Sequence, residues 1–280
     1  MTENAQDSPH LGDIEREQAA RNAPLRPLAI HEIVRAEGEA EIRRPNSALV
    51  WSALAAGLSM GFSFVGQALL KADLGRGPGR DAIASAGYML GFVIVVLGRQ
   101  QLFTETTLTA VLPALHNKDL KTWAATWRVW NIVFAANIVG TWAFAAVLWL
   151  GHPLPPDSDG ALAQLAAEAV AYPFWNTLLR AVFAGWLIAL MVWLLPSANE
   201  ARIVVIALLT WVVAFAKLSH IVAGSTDAAY AVLTGHADLG DYLGRFMIPT
   251  LIGNTIGGVA LVGMLNHAPV SAEVGEAEAP

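Results

Sequence analysis

The chain has 280 residues, of which 55% are hydrophobic and 14% are charged, and its formal net charge is −6. A soluble domain of this length would carry about a quarter charged residues, so this composition predicts an integral membrane protein. No basic patch suggests a nucleic-acid partner, and the lack of cysteine excludes disulfides and thiolate metal sites.

The two ends of the chain are polar. The first 25 residues lack the apolar stretch of a secretory signal peptide, so we expect the first membrane helix to direct insertion. The polar segment at this end extends over residues 1–45. Within this segment, residues 27–44 combine a few apolar side chains with charges. They fit a short amphipathic helix on the cytoplasmic face, and a solvated leader fits equally well. Residues 268–280 form a second polar tail.

Residues 46–267 contain six apolar segments. A membrane-spanning helix needs about 20 apolar residues. The segments are residues 47–70, 82–115, 122–150, 174–195, 203–233 and 246–266. The sequence therefore predicts an all-α membrane protein with six transmembrane helices. The linker 151–173 has no Lys or Arg, which places it on the outer side.

The second and fifth segments are interrupted, at residues 101–105 and 220–226. Breaks at matching positions of two three-helix halves indicate a 3+3 inverted repeat of aquaporin-like type, with the site at the breaks. Lys217 and His220 are costly in hydrocarbon, so we expect them to face protein or a water-filled cavity. Gly224 offers a permissive backbone at the second break.

The two breaks suggest a chemistry for small anions. Backbone N–H groups at the start of each half-helix favour negative charge, and His220 can exchange a proton near neutral pH. An anion held by Thr104 would take a proton from His220 and cross an apolar constriction as the neutral acid. An unpaired charge in such a slit would cost several kcal/mol. Leu102 and Phe103 lie next to the break and are candidates for this slit.

Three motifs resemble the formate–nitrite transporter family. Leu102-Phe103-Thr104, preceded by Gly91 and Gly98, resembles the loop of its second helix. Residues 219–223 resemble its fifth-helix histidine segment, and residues 247–258 resemble its sixth-helix signature, the most specific of the three matches. The resemblance implies a homopentamer of aquaporin-like protomers in the inner membrane, with both termini cytoplasmic and one pore per protomer for formate or nitrite.

The same resemblance implies roles for individual residues. By position, Thr104 is the loop threonine, Leu102 and Phe103 form the inner constriction, and His220 is the central histidine. Three further residues fall near the family's constriction positions: Tyr88, Phe92 and Val213.

Several positions depart from the family pattern. Ser219 stands where an acidic residue precedes the histidine, Gly224 and Ala189 stand where asparagines are expected, and the lysine before the fourth helix has no counterpart. The chain thus resembles a divergent branch, and its substrate is not carried over.

We expect other residues to support the two breaks. Arg99 and Glu105 flank the first break and are candidates for an ion pair across it. Ser219, Gly224 and Asn254 are candidates for holding the second. Lys217 precedes His220 by three residues, which would place both on nearly the same helical face.

Two alternatives to an anion pore remain open. One is an aquaporin-like channel for a neutral solute, although no Asn-Pro-Ala triplet occurs. The other is a non-conducting membrane scaffold, which the departures from the family favour. No metal cluster, nucleophile triad or cofactor loop indicates an enzyme. We therefore expect no cofactor, and as partners only a small anion, the lipid bilayer and further copies of the chain.

Overall fold

A computed structural model describes residues 12–14, 16–17, 23–75 and 77–264, with side chains placed as far as residue 260. The tail 268–280 and residues 1–11 lie outside the described residues. Within the described ranges all regular structure is helical, which confirms the predicted fold class at that level. The helices, in chain order, are α1 (Pro27–Ile42), α2 (Asn46–Asp73), α3 (Arg80–Leu97), α4 (Phe103–Thr109), α5 (Val111–Asn117), α6 (Leu120–Gly151), α7 (Asp159–Ala169), α8 (Phe174–Leu194), α9 (Arg202–Phe215), α10 (Ala223–Leu233) and α11 (Ile248–Thr255).

Four helices are long and apolar enough to cross a membrane: α2, α3, α6 and the stretch Phe174–Ser197 that contains α8. The fifth apolar segment consists of α9 and α10, which have 14 and 11 residues. The sixth contains α11, flanked by π-helical stretches at Tyr242–Met247 and Ile256–Met264. The linker 151–173, which lacks Lys and Arg, contains the helix α7.

The N-terminal helix α1 packs against α4, α5, α6 and α8. It buries His31, Val34 and Gly38, and a side chain at Gly38 would collide with the backbone of Thr109. Arg128 of α6 donates one hydrogen bond to the Ile42 carbonyl at 2.7 Å and one to the Arg44 carbonyl at 3.3 Å, and these bonds fix the end of this helix. The result is a helix held against one end of the bundle.

Two helix pairs form the centre of the fold, α2 with α6 and α8 with α11. Glycines permit the close approach in both pairs, because backbones without a Cβ between them can touch. A Cβ at Gly57 of α2 would overlap the carbonyl oxygen of Asn137 in α6. A Cβ at Gly185 of α8 would overlap the carbonyl oxygen of Asn254 in α11.

Candidate transport site

Two non-helical segments lie in the interior, between α3 and α4 and between α9 and α10. Two residues after the end of each preceding helix, a residue adopts the left-handed conformation: Arg99 with φ 50° and Lys217 with φ 53°. The next residue along each chain segment donates its N–H back to the helix, from Gln100 to the Val95 carbonyl at 3.0 Å and from Leu218 to the Val213 carbonyl at 2.9 Å. The chain therefore turns in the same way at both places.

A buried asparagine holds the first segment. The Oδ1 of Asn137, in the middle of α6, accepts the N–H of Phe103 at 2.9 Å. Its Nδ2 donates to the carbonyls of Ala53 at 2.7 Å and Gln101 at 3.0 Å. One side-chain amide thus provides hydrogen-bond partners for backbone groups of α2 and of the two residues that flank Leu102. These backbone groups are buried and have no access to water.

Asn254 of α11 makes the corresponding contacts with the second segment. Its Oδ1 accepts the N–H of Ile221 at 2.8 Å, and its Nδ2 donates to the carbonyls of Ala181 at 2.7 Å and Ser219 at 2.9 Å. Ser219 therefore contributes its backbone to this contact. Gly224, at the start of α10, lies against the ring of Phe246, where a Cβ would be within 2.8 Å.

The two segments meet at a hydrogen bond between Thr104 and His220. The Oγ1 of Thr104 lies 2.8 Å from Nε2 of His220, and each residue is only 1% exposed. The backbone N–H of Ala223 lies 3.1 Å from Nδ1 of the same ring. A backbone N–H can only donate, so Nδ1 is the acceptor and the ring hydrogen of a neutral His220 resides on Nε2. This hydrogen points at Thr104, whose own hydroxyl hydrogen is left to bind another acceptor.

Apolar side chains surround this contact. The ring of Phe92 meets His220 edge-on, with 5.0 Å between centroids, and Tyr88 packs on Phe92 at 5.3 Å. Val213 and Leu102 are fully buried. The structure places the ring of Phe103 against α6, 5.3 Å from Phe134 and 6.4 Å from Trp130, and the ring contacts described for it are with these two side chains.

A cavity of about 80 Å³ opens on one side of His220 and is called here the His220 cavity. Its lining includes Tyr88, Glu168, Lys217, Ser219, His220, Gly224 and Asp227. The ammonium group of Lys217 lies 2.9 Å from the Glu168 carboxylate, which also lies 3.6 Å from the buried Lys71. The expectation that Lys217 shares a helical face with His220 is wrong, because α9 ends at Phe215 and Lys217 turns the chain.

A larger cavity of about 320 Å³ lies beneath α1 and is called here the α1 cavity. It is lined by acidic residues, amides and arginines: Glu37, Glu41, Arg44, Arg99, Gln100, Gln101, Glu105 and Arg202 among others. The expected Arg99–Glu105 ion pair is not formed. The guanidinium of Arg99 instead lies 3.3 Å from the Glu37 carboxylate, because its left-handed turn directs the side chain outward.

Glu41 reaches from α1 into this cavity. Its carboxylate accepts hydrogen bonds from Thr109 Oγ1 at 2.5 Å and Gln101 Nε2 at 3.3 Å. Burial raises the pKa of Glu41 to about 7, an effect that these two donors oppose. Glu41 therefore titrates in the physiological range.

Three residues at the interior segments or their cavities were not singled out from the sequence. Asn137 carries a weak signal, an amide in the middle of an apolar helix that also contains Asn131. Asp227 follows the second break within an otherwise apolar run, and Glu41 sits among other charges of α1, where nothing in the pattern distinguishes it. In the residues with described side chains, no group of three or more His, Cys, Asp or Glu side chains is arranged to hold a metal ion.

Comparison with known proteins decides the family. Residues 28–268 match the formate/nitrite transporter family. The chain belongs to this family. The resemblance seen in the three sequence motifs is thereby confirmed, and the chain is a transmembrane protein of a transporter family.

Two relatives and two solved structures illustrate this membership. The chain is 38% identical over 251 residues to the inner membrane protein YfdC of Escherichia coli K12, covering 88% of this chain and 80% of that protein. It is 24% identical over 266 residues to the formate channel FocA of the same organism, covering 86% and 92%. A pentameric formate channel with formate bound shares the fold with a TM-score of 0.70 at 18% identity, covering 80% of this chain and 96% of that one. An FNT family ion channel aligns with a TM-score of 0.73 at 18% identity, covering 86% and 98%.

Proposed function

We propose that this protein is a channel for small monovalent anions of the formate and nitrite type. The observation that carries the proposal is the hydrogen bond between Thr104 and His220, which joins the two non-helical segments in the interior of the helix bundle. Membership of the formate/nitrite transporter family and the relatives named as formate channels support an anion as the solute.

The architecture we propose is the 3+3 inverted repeat, in which the second and fifth membrane helices are interrupted. Adding 118 to the residue number relates the turn at Arg99 to the turn at Lys217. The same shift relates Phe103 to Ile221, the two residues whose N–H groups bind Asn137 and Asn254. In this arrangement residues 46–267 form one transport domain with its site between the halves.

The proposed mechanism begins with a neutral His220. Its Nε2–H donates a hydrogen bond to the hydroxyl oxygen of Thr104. The hydroxyl hydrogen of Thr104 is therefore available to an arriving anion. The negative charge favours uptake of a proton from the aqueous side at Nδ1 of the ring, where it displaces the N–H of Ala223. The Thr104 hydroxyl then gives its proton to the anion and takes the Nε2 proton of the ring in its place, so that a neutral imidazole with its hydrogen on Nδ1 and a neutral acid result. The acid passes the apolar surroundings of Phe92, where the anion would pay a large desolvation cost.

The remaining features of the proposal concern assembly and orientation. We take the protein to form a homopentamer in the inner membrane, with one passage per protomer. The relative titled a pentameric formate channel supports the assembly, and the relative named an inner membrane protein supports the membrane. The polar segments 1–45 and 268–280 both lie in the cytoplasm, and the lysine- and arginine-free linker 151–173 lies outside.

Because the chain departs from the family pattern, we retain two alternative functions, a non-conducting scaffold and a channel for a neutral solute. One structural observation favours each of them. Thr104 and His220 are almost completely enclosed, which is what a non-conducting scaffold would show. The ion pair between Lys217 and Glu168 neutralises the cation at the His220 cavity, which suits an aquaporin-like passage for a neutral solute.

Flux measurements on the purified protein in liposomes separate these functions. We expect saturable uptake of formate or nitrite that increases as the pH outside is lowered, with little permeation of glycerol. Rapid glycerol or water permeation without anion uptake would assign the neutral-solute function. Liposomes containing the protein that are no more permeable than empty ones to every solute would indicate the scaffold.

A further inference from the structure

The α1 cavity contains buried acceptor oxygens that have no hydrogen-bond partner. They are the Oε1 atoms of Gln100, Gln101 and Glu105, and all three residues line this one cavity. A buried polar atom without a partner costs about 1–3 kcal/mol, and native proteins contain few of them. Three such atoms on residues that line one cavity, all of them oxygens, indicate a guest that donates hydrogen bonds.

The orientation of Gln101 supports this interpretation. The residue is only 7% exposed. Its Nε2 donates to the carboxylate of Glu41 at 3.3 Å, which fixes the amide because a flipped amide would direct its oxygen at a carboxylate. The Oε1 atom is therefore held as an acceptor.

The charges in the cavity are arranged by depth. The carboxyl groups of Glu41 and Glu105 lie in its interior, where Glu41 already has two donors and one oxygen of Glu105 has none. Of the three arginines that line the same cavity, Arg99 and Arg202 are exposed. A buried carboxylate needs a positive partner or a hydrogen-bond donor. Among the described side chains that line the cavity, only the half-buried Arg44 could bring a positive charge to its interior.

We propose that the α1 cavity binds a small monovalent cation with N–H donors, of the ammonium type. Ammonium donates up to four hydrogen bonds, enough for the carboxylate of Glu105 and the two amide oxygens together. The volume of about 320 Å³ accommodates such an ion together with water. The site is separate from the Thr104–His220 contact and does not depend on the anion passage.

Binding is measured on the protein in lipid nanodiscs at about pH 9, well above the pKa of Glu41 at about 7, so that the buried carboxyl groups of the cavity are ionised while much of the ammonium keeps its proton. The melting temperature is followed during titration with ammonium chloride, and tetramethylammonium chloride, which has no N–H donor, keeps the ionic strength constant. We expect a saturable rise in melting temperature, because an ion that binds only the folded protein stabilises it. Line broadening of ¹⁵N-ammonium by the same nanodiscs gives an independent readout.

Variants identify the site. Glu105→Gln preserves volume and should weaken ammonium binding about tenfold or more, because a charge-assisted hydrogen bond is lost. Glu39→Gln is the matched control: Glu39 lies on α1 in ion pairs with Arg35 and Arg43, away from the cavity lining, so the response should be unchanged. Gln100→Leu removes a different acceptor oxygen and should also weaken ammonium binding. It provides the test if Glu105→Gln does not fold.

Three results would overturn the proposal. The first is no saturable response to ammonium, which would mean that water alone fills the cavity. The second is an equal response to potassium, an ion without hydrogen-bond donors. The third is full binding in both Glu105→Gln and Gln100→Leu. None of these results bears on anion flux, so the two proposals fail independently.

Discussion

The two buried asparagines offer the sharpest test of how the interior segments are held. Asn137 makes three hydrogen bonds, with the N–H of Phe103 and the carbonyls of Ala53 and Gln101. Replacing it by alanine removes all three bonds from the interior, and the Ala53 carbonyl, which lies within α2, keeps only its bond within the helix. Hydrogen bonds within membrane proteins contribute about 0.6 kcal/mol on average and at most about 1.7 kcal/mol, so Asn137→Ala should lower the free energy of unfolding by roughly 2–5 kcal/mol.

The measurement is denaturant or thermal unfolding in lipid or detergent, with a control from the same helix. Asn131 is exposed and donates only to the Trp127 carbonyl one turn earlier, at 2.7 Å. Asn131→Ala should therefore cost less than about 0.5 kcal/mol. Asn254→Ala removes the same three kinds of bond and should cost as much as Asn137→Ala.

Asn137→Asp separates the hydrogen bonds from the packing. It keeps the shape and the acceptor for the N–H of Phe103, but it loses the amide donor that serves two carbonyls. We expect it to be at least as destabilising as Asn137→Ala at neutral pH, because it also buries a charge. If Asn137→Ala and Asn131→Ala proved equally stable, the asparagine would not hold the segment and this reasoning would be refuted.

Three further predictions concern the site and its surroundings. Thr104→Val should reduce formate flux at least tenfold because it removes the hydroxyl that we expect to bind the anion, whereas Thr104→Ser should retain most of it; equal flux in the two variants would contradict the role. Gly185→Ala should destabilise by about 1–3 kcal/mol through backbone overlap, while Gly160→Ala, where a Cβ meets nothing, should be neutral or stabilising. The raised pKa of Glu41 means that the folded protein binds this proton more tightly than the unfolded chain, so stability should fall as the pH rises from about 4.5 to about 7. Glu41→Gln should flatten that decline in melting temperature and Glu39→Gln should not.

Sequence reasoning reached the helical class and the family because both depend on local patterns. Apolar runs of about 20 residues are visible without any tertiary contact, and so are the motifs around Thr104 and His220. The position of Asn254 was found in the same way, as part of the sixth-helix signature, although its three hydrogen-bond partners were not foreseeable.

The misses depended on backbone turns and long-range packing. We expected Arg99 to pair with Glu105 and Lys217 to share a helical face with His220. Both residues instead adopt a left-handed backbone conformation, and their side chains form ion pairs with Glu37 and Glu168. Nothing local predicts that a non-glycine residue adopts this conformation. The role of Glu41 depends on α1 docking on the bundle, a contact between residues far apart in the chain.

The hydrogen bond between Thr104 and His220 is central to this account, and pH-dependent flux through a histidine variant tests it most directly. His220→Asn keeps a hydrogen-bonding side chain of similar size but cannot accept a proton. In liposomes, formate uptake by the unaltered protein should rise as the pH is lowered, and uptake by His220→Asn should lose this pH dependence. If His220→Asn carries formate at the same rate and with the same pH profile as the unaltered protein, the histidine does not take part in transport.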